Sequence, residues 1–346
     1  MKSIKIVLSI FASLFIFISC EKDIEFNGEI TDPFIVVNSY ITPDSVVSAH
    51  ISESRFFLKD SITYKNINSA DVAVWVNGVF KEKMNFIEKG TYIGTYKPIV
   101  GETIKIIVNV PSKAEVSSET KIYPQPVINS IDTASIWTGD RYEIQSSGSS
   151  YGNGPMTWVY DTIATISGHT INYTLKFNDN ANEQNFYRLV VQTIEHYTVT
   201  DTIMQTSKDS IMTNYYFNFT DVVSGNNTTN DPTVIIGGGY YSYNMYNAFS
   251  DELFNGKTYS LTFSTNEDVY KYSPEYTYGR ETPDRKEIKI YLQSISRDYY
   301  LYLKSRAAGS GGTDFFSEPV QIHNNIIGGI GILGSYTSSL VYKFDL

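Results

Sequence analysis

The chain has 346 residues, with 37 Asp and Glu against 27 Lys and Arg, for a formal charge of −10. An acidic balance of this size argues against nucleic-acid binding, which needs clustered Lys and Arg. The single cysteine excludes disulfide frameworks and four-cysteine zinc sites, and the length exceeds what one core usually covers, so two domains are expected.

Met1-Lys-Ser-Ile-Lys5 leads into an apolar run from Ile6 to Ile18, closed by Ser19-Cys20. The run is too short to span a bilayer and, with lysines before it, has the form of a secretory signal. A small residue followed by cysteine at its end is a bacterial lipobox, although Phe17 stands where Leu is usual. The expectation is a signal peptide over 1–19 and acylation of Cys20, which leaves the mature chain without a thiol. Several acyl chains on one residue form a stable anchor. Residues 20–33 then read as a polar, acidic, flexible tether. Lys22, Asp23 and Glu25 in it are similar to a surface-export signal, which points the anchored protein toward the cell exterior.

From Phe34 the chain reads as strands: Tyr (28) and Phe (19) are abundant, and Thr, Val and Ile recur. Strands are predicted over 34–41, 46–52, 72–76, 90–96 and 103–110, with Asn77-Gly78 as a hairpin turn after the third. Short strands at this spacing indicate an antiparallel sandwich over 34–122. Pro124 and Pro126 remove two ladder donors, so 123–127 reads as a linker. A larger β-rich domain, 128–346, continues with strands at 127–131, 170–177, 186–192, 258–264 and 287–292. One helix is predicted from Ser296 to Ala308, with Ser296 as its cap and Asp298 in its first turn. Tyr299, Tyr302, Leu303 and Arg306 form its packing stripe. The Ser-, Gly- and Asn-rich stretch 138–158 and residues 224–233 read as surface loops. The fold class is therefore mainly β, with two β-sandwich (Ig-like) domains, the second larger and carrying one short helix.

Several stretches resemble a known family: Val36 to Ser45 with Arg55, Ala70 to Gly78, Asn185 to Leu189, Phe249 to Tyr259, and Phe316 to Val320 with the glycine-rich end. In that order they resemble DUF4249, a family of Bacteroidota lipoproteins of unknown function. The resemblance implies an outer-membrane location and association with a TonB-dependent transporter. It supplies no catalytic residues.

Other motifs point away from catalysis. Gly329, Gly331 and Gly334 fit G-x-G-x-x-G, but no helix and no later acidic residue follow, so a glycine-rich loop with positive φ or close backbone approach is the better reading. Asn178 to Glu183 lacks the charge and the glycine of a calcium loop and reads as a turn. His50, His169, His196 and His323 form no ligand-spaced pair, and Asp251-Glu252 reads as a turn rather than a glycosidase pair. Neither cofactor nor metal is expected.

Two tyrosine-rich stretches suit recognition, because Tyr gives contact area at low entropic cost. Tyr240, Tyr241, Tyr243 and Tyr246 are the first candidates for a ligand or partner surface, with Tyr276 and Tyr278 beside them. An Asp-Ser/Thr-aliphatic or -Ala tripeptide recurs and is similar to a Bacteroidota O-glycosylation sequence. Its hydroxyl residues are Ser45, Ser61, Thr133, Thr162, Thr202 and Ser210. The expectation is a non-enzymatic accessory lipoprotein of a transporter, with a surface hydrolase of glycans or peptides, or an adhesin, as alternatives.

Overall fold

The computed structural model describes residues 32–55, 65–149, 157–200, 205–213, 217–219, 221–224, 245–272, 285–309 and 321–345. The chain divides into two compact units. One takes Met1–Pro33 with Arg55–Asp60, of which only Asp32, Pro33 and Arg55 are described; the other holds every element below. The signal segment, Cys20 and the tether up to Thr31 lie outside the described residues.

The first eight strands are β1 (Ile35–Ile41), β2 (Ser48–Glu53), β3 (Asp71–Val76), β4 (Val79–Lys83), β5 (Asn85–Glu88), β6 (Thr91–Ile93), β7 (Thr103–Asn109) and β8 (Val116–Lys121). Asn77 and Gly78 turn β3 into β4 with φ of 51° and 81°, the double positive φ that selects Asn-Gly. Alternation decides the faces. Ile35, Val37 and Ile41 of β1 point into the same core as Val72, Val74, Ile104, Ile106 and Val108, as the two-residue period requires. That core joins the sheet β4-β3-β7-β8 to the β1 end of a second, longer sheet.

The remaining strands are β9 (Val127–Ser149), β10 (Thr157–Asn178), β11 (Phe186–Thr200), β12 (Gln205–Thr213), β13 (Phe217–Asn218), β14 (Ala248–Ser250), β15 (Thr258–Tyr272), β16 (Arg285–Ile295) and β17 (Ile330–Asp345). A 3₁₀ turn covers Val222–Ser224, and helix α1 covers Arg297–Gly309. The sheet β13-β15-β10-β9 faces β11 and β16 across a second core. Tyr173, Leu175, Phe177, Leu261 and Phe263 meet Tyr187, Leu189, Val191, Ile288, Ile290 and Leu292 there. The architecture is mainly β and sandwich-like, with one helix among the described residues.

β17 links the two halves. Its first half runs parallel to β1, from Val36↔Ile330 to Ile41↔Ser335. Its second half runs antiparallel to β16, from Ile295↔Tyr336 to Glu287↔Asp345. The long sheet is therefore continuous, β12-β11-β16-β17-β1-β2-β6-β5, with β14 added to β11. The 123–127 segment parts two cores but not two sheets: Ile122 belongs to the first core and Ile128 packs on the second, yet Ile326 and Leu333 return to the first.

Two loop expectations are corrected. Residues 138–149 and 157–158 are strand, paired Ser149↔Thr157 through Ile144↔Thr162. Register shifts after Thr162 and Gly168 accompany the pairing, and Gly139 takes φ of 116°, the irregular backbone that glycine permits. Of the terminal glycines, Gly329 lies in the bend that leads into β17, whereas Gly331 and Gly334 are strand. Gly331 has φ of 124°, and any side chain there would strike the Val37 carbonyl, so the close approach holds within a strand rather than a loop.

Candidate functional site

Helix α1 lies on the face of the long sheet away from the second core. Phe186, Ala248, Ile295, Tyr299 and Leu303 form a third cluster there, with Tyr246, Tyr300, Tyr302 and Tyr336 packed against it. Ser296 starts the helix as its cap: its hydroxyl accepts from the Tyr299 N–H at 3.4 Å and the Ser335 N–H at 3.1 Å, and its carbonyl accepts from the Tyr300 N–H at 2.9 Å. The cap therefore also fastens α1 to β17.

A tyrosine–arginine cluster surrounds this seat. The Tyr40 ring of β1 lies 5.1 Å from that of Tyr299. Arg188 of β11 donates from Nε to the Tyr246 carbonyl at 3.1 Å and from Nη1 to the Tyr299 hydroxyl at 3.3 Å. The guanidinium of Arg306 stands 5.7 Å from the Tyr246 ring centre and 5.8 Å from that of Tyr302, within cation–π range. Burial pushes the Tyr40, Tyr299 and Tyr336 hydroxyls above the ordinary phenol range. Burial works against the Arg306 charge, but Tyr246 and Tyr302 outweigh it and hold its pKa up. The cluster thus presents neutral hydroxyls and a fixed cation, which suits recognition and leaves no group poised for proton transfer.

A cavity of about 560 Å³ opens on another side of α1, walled by Leu301, Lys304 and Ser305 of the helix and by residues 321–324. Two bonds hold that wall: His323 Nε2 meets Asp298 Oδ1 at 2.9 Å, and the His323 N–H donates to the Ser305 hydroxyl at 2.8 Å. Ser, His and Asp are therefore neighbours without forming a triad. The Ser305 hydroxyl donates to the Tyr302 carbonyl and meets the histidine backbone, so nucleophile and base are not paired.

The third surface is the β9–β10 ribbon. Ile136, Trp137, Tyr142, Ile144, Trp158 and Tyr160 are all more than half exposed along it. Trp137 and Ser167 both donate to Asp140 Oδ1, at 3.3 and 2.5 Å.

The structure brings one predicted tyrosine, Tyr246, into the cluster. Tyr240, Tyr241, Tyr243, Tyr276 and Tyr278 lie outside the described residues, as do Ser61 and Thr202. Ser45 is exposed in the turn after β1, Thr133 and Thr162 are exposed on β9 and β10, and Ser210 lies on β12. Residue reasoning did not assign Tyr40, Arg188, Lys304 or His323 to a site. The signal available for Tyr40 and Arg188 was the stretches Val36–Ser45 and Asn185–Leu189, which supply the two strands carrying them. Asp251, within a turn, is fully buried and accepts the Asn185 N–H at 2.8 Å. Among the described residues no three His, Cys, Asp or Glu side chains gather to hold a metal, and no helix is long and apolar enough to cross a membrane.

No curated protein matches the chain. A solved structure described as the "Structural basis for the promiscuous specificity of the carbohydrate-binding modules from the beta-sandwich super family" overlaps 70% of this chain and 97% of its own, at 10% identity. Its TM-score is 0.16, too low to carry any argument. The family described as "Domain of unknown function (DUF4249)" matches residues 21–340, nearly the whole chain, and the protein belongs to that family.

Proposed function

We propose that this protein is an outer-membrane lipoprotein without enzymatic activity, anchored through acylated Cys20 and facing the cell exterior. It acts there as the accessory substrate-binding or partner protein of a TonB-dependent transporter. The observation that carries the reading is the display of recognition chemistry on two surfaces. Trp137, Tyr142, Trp158 and Tyr160 stand in solvent on the ribbon, and Arg306 is fixed between Tyr246 and Tyr302 beside α1. Exposed large aromatics and Arg are the residues that dominate binding energy at interfaces. The lipobox and acidic tether support the membrane assignment, and tethering raises local concentration so that modest affinity suffices. The Ser305 hydroxyl and the His323 ring beside the cavity are not bonded to each other, which weighs against a hydrolase there.

The test joins three measurements on cells expressing the full chain. Radiolabelled palmitate enters the wild type and not Cys20→Ser; the wild type fractionates with outer membranes; and affinity capture from those membranes recovers a TonB-dependent barrel. A lipidated chain that never recovers such a barrel sinks the transporter assignment, and an unlabelled chain sinks the anchor.

A further inference from the structure

The cavity beside α1 has no part in the reading above, and its polar groups can be accounted for one by one. The Ser305 hydroxyl is engaged as donor and acceptor, and His323 Nε2 is occupied by Asp298. The Asn324 amide donates to the Gly329 carbonyl and accepts the Ile326 N–H. Three polar groups remain: the Lys304 ammonium, the Gln321 amide and the His323 Nδ1.

Lys304 is half-buried in an acidic chain, yet among the described residues no carboxylate reaches ion-pair distance of it. Burial alone acts on its pKa, and lowers it. A cation withdrawn from water without a counter-charge is unfavourable, and an anion arriving from solution relieves that cost. The cavity around it is far larger than a simple ion needs and falls in the range of small-molecule sites. Leu301 and Ile322, the latter 40% exposed, give it an apolar wall.

We propose that this cavity binds a small organic anion, a carboxylate or phosphate monoester with an apolar body. Its charged head sits on Lys304 and Gln321, and its body lies against Leu301 and Ile322. The site depends neither on the lipid anchor nor on a transporter.

Titration calorimetry on the full-length chain in detergent tests it with benzoate and phenyl phosphate, each against its neutral counterpart, benzyl alcohol and phenol. The expected result is saturable binding of at least one anion and none of the neutral compounds. Lys304→Gln weakens that binding about tenfold or more, the scale of a charge-assisted contact, whereas Lys97→Gln, at an exposed lysine away from the helix, leaves it unchanged. Should the Lys304 variant fail to fold, the wild type supplies the readout: the anion protects Lys304 from acetylation by acetic anhydride, seen by mass spectrometry. Absence of binding, equal binding of the neutral compounds, unaltered binding by folded Lys304→Gln, or unprotected Lys304 each overturns the proposal.

Discussion

Tyr299 stands directly on Gly334: a methyl group at Gly334 would meet the Tyr299 Cβ at 2.8 Å and its Cγ at 2.9 Å. The bare backbone of β17 is what lets α1 lie on the sheet. Gly334→Ala is expected to destabilise the protein by about 1–3 kcal/mol, the usual cost of overpacking a close contact. At Gly168 an added methyl meets the Thr138 hydroxyl at 2.6 Å, and that side chain can rotate away. Urea unfolding should therefore rank Gly334→Ala below Gly168→Ala, and the reverse order would refute this account of the helix seat.

Asn325 replaces a missing strand neighbour. Its Nδ2 donates to the Leu333 carbonyl and its Oδ1 accepts the Leu333 N–H, each at 2.9 Å. Leu333 is fully buried and precedes the point where β16 begins to pair with β17. Asn325→Ala leaves both backbone groups without their partner, at a cost of about 1–3 kcal/mol for each buried group left unsatisfied. Hydrogen exchange at the Leu333 amide is the direct check: protection there should fall well before protection at Ile290.

How far these features could be read from sequence depends on whether their cause is local. The Asn77-Gly78 turn and the Ser296 cap are local and were legible, as was the alternation of β1, β3 and β7. The 138–149 segment was not. Over 138–145 side chains on both faces meet solvent, so no alternation marks it, and the Ser and Gly content of the segment imitates a loop. The β1–β17 pairing joins residues almost 300 positions apart, and no local pattern records such a partner. At the candidate site, composition singled out the neighbourhood of Tyr246. Arg188 and Tyr40 reach it only through strand pairing.

Glu287 ties stability to acid pH. Its side chain is 4% exposed, and Oε1 lies 3.2 Å from Lys289 Nζ and 3.1 Å from Lys343 Nζ. Burial alone would push its pKa up; the bonds and charges of Lys343 and Lys289 outweigh that and hold it near about 2. A folded pKa below the unfolded one gives stability that is fully present above about pH 4.5 and lost as pH falls through about 2. Lys343→Met should move that loss to higher pH. Because Lys343 is 49% exposed, the penalty at pH 7 should be about 1 kcal/mol or less. Urea midpoints across pH 2–7 measure both effects, and identical acid profiles for variant and wild type would remove Glu287 from the account.

The two arginines of the tyrosine cluster separate structure from recognition. Arg188 is partly buried and holds the Tyr246 carbonyl and the Tyr299 hydroxyl together. Arg188→Ala removes charge-assisted bonds from the helix seat and should cost about 1.5–3 kcal/mol. Arg306 is exposed, meets Tyr246 and Tyr302 through their ring faces, and should cost no more than about 1 kcal/mol when changed to Ala. If the cluster is the partner surface, Arg306→Ala nevertheless loses most of the barrel protein recovered from outer membranes, while Trp137→Ser on the ribbon keeps it. The opposite pattern, capture lost by Trp137→Ser and kept by Arg306→Ala, assigns recognition to the ribbon and leaves α1 a structural brace. Matched unfolding curves for the two variants make either outcome interpretable, because neither loss could then be charged to misfolding.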